Sequence, residues 1–218
     1  MAYVTPGTVA AGDVATAAAW NVLTNDILQF APFVQGVFTT EAARDAAITS
    51  PTEGMHVYLT APTVPSGTGA TITGVDTVYN GTNWVCVTPI GGLIASEQDI
   101  IGASGYQDLT TAGPTVTMVT GTSVILTMTA RTLNNVATQS TLMSVAISGA
   151  TTISAATFAT TYGNAAFYFS SGNVTVTCSG TFLVTGLTPG TNTFKLQYSG
   201  NGNTSRWGNR HLTVTAVT

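Results

Sequence analysis

The sequence predicts a mainly β protein: an N-terminal arm with a short helix, a small α+β hairpin module, and a C-terminal antiparallel β-sandwich of jelly-roll-like form. Three observations lead to this prediction. Beyond Val116 the chain consists of runs in which apolar and polar residues alternate. Clusters of Asn, Gly, Ser and Pro separate these runs at the spacing of sandwich strands. Only 6% of the 218 residues are charged, against about 25% in an ordinary soluble domain, and threonine fills many of the polar strand positions.

The composition argues against several classes of protein. Hydrophobic residues make up 44% of the chain, which is enough for a core and unlike a disordered protein. With five Lys and Arg residues and a pI near 4.7, we expect no nucleic-acid partner. No apolar run is long enough for a transmembrane helix, so we expect no membrane insertion. Residues 1–7 lack the cationic start and apolar run of a secretory signal.

Residues 1–37 are expected to form an arm followed by a helix. Thr16 is a suitable N-cap, and Pro32 disfavours helix beyond Phe30. Four apolar residues recur at helical spacing: Trp20, Leu23, Ile27 and Phe30. One short helix is not stable alone in water. Two interpretations are open: this apolar stripe packs on the rest of the chain, or it docks on another protein or on symmetry copies.

Residues 38–90 predict a small α+β module that acts as a spacer. Thr40 caps a helix, and Asn80-Gly81 between two apolar runs predicts a hairpin. The expected elements are the helix at residues 41–48, a strand at 55–59, a flexible loop at 61–74, and strands at 77–79 and 84–87.

Residues 91–98 are predicted to be a linker, and residues 99–218 a sandwich of about eight strands. The alternating runs are 116–119, 123–133, 141–147, 174–178, 182–184, 193–198 and 211–217. Lysine normally discourages sheet edges from pairing with other chains, and this chain has one lysine, Lys195. Uncharged edges must be covered, and oligomerisation is the simplest cover.

Charge is distributed unequally along the chain. Residues 1–108 hold all nine acidic residues and one arginine, for a formal charge of −8. Residues 109–218 hold four cations and no acid, for a charge of +4. This asymmetry suggests two parts with different neighbours.

Residues 4–90 resemble modules of tailed-bacteriophage tail and appendage proteins. The first resemblance lies in Ala11-Gly12-Asp13-Val14, Trp20-Asn21-Val22-Leu23 and Asn25-Asp26. The second lies in residues 40–48, followed by Glu53-Gly54-Met55, Val57-Tyr58-Leu59 and residues 78–85. Such modules occur in head fibres, minor tail proteins and tail fibres, so the resemblance implies a part of a virion. The loop at 61–74 is longer than this pattern leads us to expect.

The end of the chain resembles the trimeric jelly-roll heads of phage fibres. The residues concerned are 184–198, with Leu187-Thr188-Pro189-Gly190 leading into a strand, and 209–214. This resemblance of the C-terminal residues implies a homotrimer and no catalysis.

The distribution of reactive side chains predicts no enzyme. Glycosidase chemistry in its usual form needs two carboxylates, and no carboxylate follows Asp108. His56 and His211 lie in different modules, without the neighbours that metal binding needs. Cys86 and Cys178 each lie in a strand-like run and are expected to be buried. We therefore predict no catalytic residues, no metal and no cofactor.

One polar cluster is a candidate ligand site. Residues 199–210 are predicted to form a loop between two strands, with an exposed Trp207 between Arg206 and Arg210. Tryptophan and arginine anchor many recognition surfaces, and an aromatic face beside amides suits sugar rings. The alternative is that Trp207 packs on the sandwich or on a neighbouring subunit.

These observations lead us to expect a structural component of a tailed-bacteriophage particle, assembled in the host cytoplasm and exposed on the capsid or tail. Its N-terminal segment would dock on other virion proteins, or form the trimer axis, and its β-sandwich would project outward. The alternative function is recognition of a host-surface carbohydrate.

Overall fold

The computed structural model describes residues 36–100, 105–169, 171–200 and 204–217. The predicted helix with Trp20, Leu23, Ile27 and Phe30 lies outside the described residues.

A small sheet, sheet I, opens the described chain. Its elements are β1 (Gly36–Phe38), α1 (Glu41–Ala47), β2 (His56–Leu59), β4 (Val75–Tyr79) and β5 (Trp84–Cys86). The short strand β3 (Ser66–Gly67) lies between β2 and β4 along the chain but belongs to another sheet. The strand order in sheet I is β1-β2-β4-β5, with β1 parallel to β2 and the other neighbours antiparallel. This confirms the predicted strands and the helix of the α+β module.

The helix start and the hairpin turn form as the sequence predicts. Thr40 Oγ1 accepts a hydrogen bond from the backbone N–H of Ala43 at 3.3 Å, which satisfies one of the free amides of the first helical turn. Asn80 Oδ1 accepts from the N–H groups of Thr82 and Asn83 at 3.1 and 2.9 Å. Gly81 has a φ of 87°, a conformation that glycine adopts without strain.

The rest of the chain forms a two-sheet β-sandwich. Its elements are β6 (Ile90–Ile94), β7 (Gln98–Ile100), β8 (Thr115–Thr120), β9 (Ser123–Asn134), β10 (Gln139–Gly149), α2 (Ala155–Thr161), β11 (Ala165–Phe169), β12 (Val174–Thr185), β13 (Gly190–Gly200) and β14 (Ser205–Val217). Sheet II has the order β11-β10-β13-β8-β3, and sheet III has the order β12-β9-β14-β6, with β7 also pairing with β14. The prediction of a mainly β, sandwich-like fold is confirmed.

The core lies between sheets II and III. Along β9 the side chains alternate, with Val124, Leu126 and Met128 fully buried and the intervening residues facing outward. Met118 and Phe194 of sheet II are buried as well. Burial of apolar surface contributes about 25 cal/mol per Å², so this interior dominates the stability of the sandwich.

Three segments differ from the sequence prediction. The predicted flexible loop 61–74 contains β3, which pairs with β8 and joins sheet II. The predicted linker 91–98 contains most of β6, which pairs with β14, because Leu93 and Ile94 continue an apolar run from Ile90 that two glycines obscure. Val37, placed in the N-terminal segment, lies in β1. The division of the chain into domains stays a prediction.

The sequence pattern predicts neither α2 nor β11, and it divides β12 in two. Ser154 caps α2 by accepting from the N–H of Thr157 at 3.1 Å, and the Phe158 side chain on one side of the helix is buried. The strand β12 runs unbroken from Val174 to Thr185 because it pairs with β9 along its whole length.

Candidate functional site

The predicted ligand site at Arg206, Trp207 and Arg210 is not an exposed loop. All three residues lie in β14. Trp207 and Arg210 are fully buried, at 0% exposure. The prediction of an exposed tryptophan is therefore wrong, and the packed alternative describes the side chain.

A β-bulge buries both side chains. In a regular strand, residues three apart point to opposite faces of the sheet. The register of β14 against β9 shifts between Gly208 and His211, and Asn209 has a φ of 47°. The extra residue turns Arg210 to the same side as Trp207. Glycine followed by asparagine was the available signal, since both residues tolerate positive φ.

The two buried side chains meet a third, Tyr198 of β13. The ring centroids of Trp207 and Tyr198 are 5.4 Å apart, and the Arg210 guanidinium lies 5.5 Å from the Tyr198 ring centroid. Arg210 Nη1 donates to the carbonyl oxygen of Thr111 at 3.1 Å. Burial raises the pKa of Tyr198, and Arg210 opposes that rise. This group serves as a polar core in which a cation is held without a carboxylate among the described residues.

Several atoms of this buried group have no hydrogen-bond partner. Trp207 Nε1, Tyr198 Oη and Arg210 Nε are all unpartnered in the structure. Unpaired buried polar atoms cost about 1–3 kcal/mol each. All three side chains are fully buried, so the group offers no opening to a ligand at the surface.

Arg206 points outward and is engaged in an ion pair. Its Nε and Nη2 donate to Asp99 Oδ1 and Oδ2 at 2.6 and 3.0 Å, and the Arg206 hydrogen bond holds the pKa of Asp99 below its ordinary value. Arg131 pairs with Glu97, and Lys195 Nζ lies 2.7 Å from Asp108 Oδ2.

These ion pairs explain the charge asymmetry. The acidic residues at 97–108 meet cations that come from β9, β13 and β14. Three of the four cations of residues 109–218 thus pair with acidic residues at 97–108, and the two halves of the sequence are neighbours in the fold.

Reactive side chains are sparse in the described part of the chain. No group of three or more His, Cys, Asp or Glu residues there could hold a metal ion. Burial raises the pKa of Cys86 to about 12 and that of Cys178 to about 11. Both thiols are free and buried, as predicted. Among the described helices none is long and apolar enough to cross a membrane.

The outward side of sheet III forms a surface that we call the threonine face. It comprises Ile125, Thr127 and Thr129 of β9, Ser179, Thr181 and Leu183 of β12, and His211, Thr213 and Thr215 of β14. Hydroxyl pairs cross between strands, at 3.0 Å for Thr127 and Thr181 and at 2.9 Å for Thr129 and Ser179. None of these nine residues is Asp, Glu, Lys or Arg.

An apolar pair lies within the threonine face. Ile125 and Leu183 are cross-strand partners, and they are 44% and 59% exposed. Leu183 belongs to β12, the edge strand of sheet III, whose other side pairs with no strand in the described ranges. Residues 174–185 contain neither proline nor a charged residue. Charge and proline, two of the usual devices that protect a sheet edge, are therefore missing from β12. At one end of the strand Tyr162 Oη donates to the Thr185 carbonyl oxygen at 2.6 Å.

A cleft lies between α1, the β4–β5 hairpin and β8. We call it the Arg44 cleft. Its volume is about 420 Å³, and its walls include Arg44, Asp45, Tyr79, Asn83 and Trp84. The Arg44 guanidinium lies 4.7 Å from the Trp84 ring centroid. The sequence pattern does not predict this site, although Arg44 is the single cation of residues 1–108 and was the available signal.

Comparisons with known proteins establish no family. No protein family and no curated protein sequence matches the chain. Among solved structures, the VP2 subviral particle of infectious bursal disease virus is 14% identical, with a TM-score of 0.37. An exo-β-1,3-galactanase from Phanerochaete chrysosporium is 12% identical, with a TM-score of 0.26.

The aligned regions cover 66% and 63% of this chain. The chain spans less than half of either protein, at 42% of VP2 and 32% of the galactanase. Such low TM-scores support no argument about function.

Proposed function

We propose that this protein is a structural component of a tailed-bacteriophage particle, a surface fibre, minor tail or decoration protein that assembles as a homotrimer. Its N-terminal segment, with Trp20, Leu23 and Ile27, docks on other virion proteins or forms the trimer axis. The sandwich projects from the particle surface and performs no catalysis.

The observation that carries this proposal is the uncharged edge strand β12 beside the threonine face. β12 has 12 residues, carries no charge or proline, and in the described ranges pairs with a strand on one side only, so its other side is suited to pairing with another chain. The exposed Ile125 and Leu183 add apolar surface to the same area. A chain with such a surface is best suited to an assembled state. The resemblance of residues 4–90 to phage appendage modules supports the virion as the place of assembly.

Labelled imaging of the particle tests the location. A tag fused after Thr218, visualised by electron microscopy on intact virions, should appear at regular positions on the capsid or the tail. The control is that the host cells produce the tagged protein in soluble form. If they do and the virions carry no label, the proposal is contradicted.

A truncation tests the docking role. Deletion of residues 1–35 leaves every described strand intact, including β1, which begins at Gly36. We expect the truncated protein to fold but not to enter the particle. Normal incorporation of the truncated protein would contradict docking through the N-terminal segment.

The second candidate function is recognition of a host-surface carbohydrate. The patch at Arg206, Trp207 and Arg210 does not supply it as predicted, because the Trp207 ring is buried and Arg206 is paired with Asp99. This function therefore needs another surface.

A further inference from the structure

The Arg44 cleft combines aromatic rings with a fixed ion pair. Arg44 Nε donates to Asp45 Oδ1 at 2.9 Å, and Arg44 Nη2 lies 2.8 Å from the same oxygen in an ion pair. The Arg44 side chain is 7% exposed, and that of Asp45 is 59% exposed. The cation thus lies in the wall of the cleft, and the carboxylate lies at its rim.

The pair leaves hydrogen-bonding capacity in the cleft. Among the described residues, Arg44 Nη1 and Asp45 Oδ2 have no hydrogen-bond partner. Thr82 and Asn83 line the same cleft, and their described hydrogen bonds to Asn80 involve backbone atoms of Thr82 and Asn83 and not their side chains. The cleft therefore presents donors and acceptors side by side.

The rings provide an apolar wall next to these groups. Tyr79 and Trp84 are both half-buried, and their ring centroids are 5.5 Å apart at an interplanar angle of 58°. Arg44 covers the Trp84 ring on one side and fixes its orientation. Ile48 and Pro51 extend the apolar part of the lining.

We propose that the Arg44 cleft binds one ring of a neutral saccharide. A sugar hydroxyl both donates and accepts, so neighbouring hydroxyls match the adjacent Arg44 donor and Asp45 acceptor. The apolar face of a pyranose matches an aromatic wall. The lining holds one cation and one anion, so the site favours an uncharged ligand over an acidic sugar.

The size of the cleft agrees with a single ring. About 420 Å³ equals roughly 14 water molecules at ~30 Å³ each, which is room for a pyranose with its hydroxyl groups. It also lies at the lower end of the ~300–1,000 Å³ range of ligand pockets. The inference is independent of the assembly role, because the cleft shares no residue with the threonine face or β12.

The test is a titration of the full-length protein followed by NMR through the indole N–H signal of Trp84, assigned with Trp84→Phe. The probes are the methyl glycosides of glucose, galactose, mannose and N-acetylglucosamine, and two acidic sugars, glucuronic acid and N-acetylneuraminic acid. We expect at least one neutral glycoside to shift this signal saturably, with a Kd in the millimolar range.

Two variants localise the binding. Asp45→Ala and Asn83→Ala should each weaken the affinity at least tenfold, because each removes a polar group from the cleft. Two variants remote from the cleft serve as controls, Tyr168→Ala for an exposed ring and Asn135→Ala for an exposed amide, and both should bind as the unmodified protein does.

Three outcomes would overturn the inference. They are the absence of a shift with every neutral glycoside, a shift that both cleft variants retain at full affinity, and binding of the acidic sugars alone. None of these outcomes bears on virion assembly, so failure here leaves the structural role intact.

Discussion

Arg210 is a fully buried cation that has no carboxylate partner among the described residues. Buried cations are normally paired with a carboxylate. Here the described contacts of the guanidinium are the Thr111 carbonyl, a long 3.5 Å contact to Ser96 Oγ, and the Tyr198 ring. Its charge is poorly compensated, while its length fills space and connects β14 to the segment before β8.

Because of this environment, we expect two substitutions at Arg210 to lower the free energy of unfolding by different amounts. Arg210→Ala should lower the free energy of unfolding by about 2–4 kcal/mol, because it leaves a cavity. Arg210→Met keeps most of the volume and removes the buried charge, so it should cost less than about 1.5 kcal/mol. Urea denaturation of both variants measures the difference. Equal losses would show that the charge itself is needed for stability.

The two buried thiols make stability fall at alkaline pH. Their pKa values of about 12 for Cys86 and about 11 for Cys178 lie above the ordinary value of 9.0. As the pH rises above 9.0, the unfolded chain therefore releases thiol protons that the folded chain retains. The free energy of unfolding should fall by roughly 1 kcal/mol per thiol between about pH 9 and about pH 10.

Urea denaturation across this pH interval, on the unmodified protein and on the double variant Cys86→Ala, Cys178→Ala, measures the effect. The double variant should show the shallower dependence on pH, whatever its stability at neutral pH. Parallel pH profiles would contradict this account. At pH values below the ordinary pKa of Tyr198, the Tyr198 side chain contributes little to the pH profile of either protein.

At the scale of the element, the bulge in β14 decides what faces the core. Asn209 adopts a left-handed conformation, and its N–H donates to the Ala95 carbonyl oxygen at 3.2 Å. Without this extra residue, Arg210 and Trp207 would point to opposite faces of sheet III. The bulge therefore determines that Arg210 joins Trp207 in the buried polar group.

Substitutions at Asn209 should separate backbone conformation from side-chain chemistry. Asn209→Gly should change the free energy of unfolding by only a few tenths of a kcal/mol, whereas Asn209→Val should lower it by about 1–2 kcal/mol. Thr213→Val, further along β14 on the threonine face, is the matched control and should be nearly neutral. Thermal unfolding followed by circular dichroism provides the comparison. If both Asn209 variants unfold alike, the left-handed conformation is not what the residue contributes.

The sequence predicted most elements because their signals are local. Apolar alternation identified β8, β9, β10 and β13, and Thr40 identified the start of α1. The strand β6 escaped because its pairing with β14 depends on residues more than a hundred positions away. Trp207 was misjudged because residues 199–210 were interpreted as a loop, whereas β14 begins at Ser205 and pairs there with β7 and β9. The Arg44 cleft is formed by three elements, so no single stretch of sequence contains it.

For the whole molecule, the threonine face and the β12 edge lead to a prediction about mass. Light scattering of the purified protein should give about three times the chain mass of 22.2 kDa. Leu183→Lys places a charge on the exposed edge strand and should shift the population to monomer. Ala156→Lys, on the exposed side of α2, is the control and should leave the mass unchanged. A monomeric unmodified protein would contradict the trimer.

The positions of the cations have a consequence for proteolysis. Trypsin cleaves after lysine and arginine, and the chain has five such residues. Arg44 lies in α1, Arg131 in β9, Lys195 in β13, and Arg206 and Arg210 in β14. Every site is thus held in a helix or a strand, where a protease cannot reach the backbone until the structure opens. Trypsin should therefore leave the native protein whole. Once the protein unfolds, trypsin should cut it into three long peptides (1–44, 45–131 and 132–195) and three short ones, which makes digestion a direct readout of global unfolding.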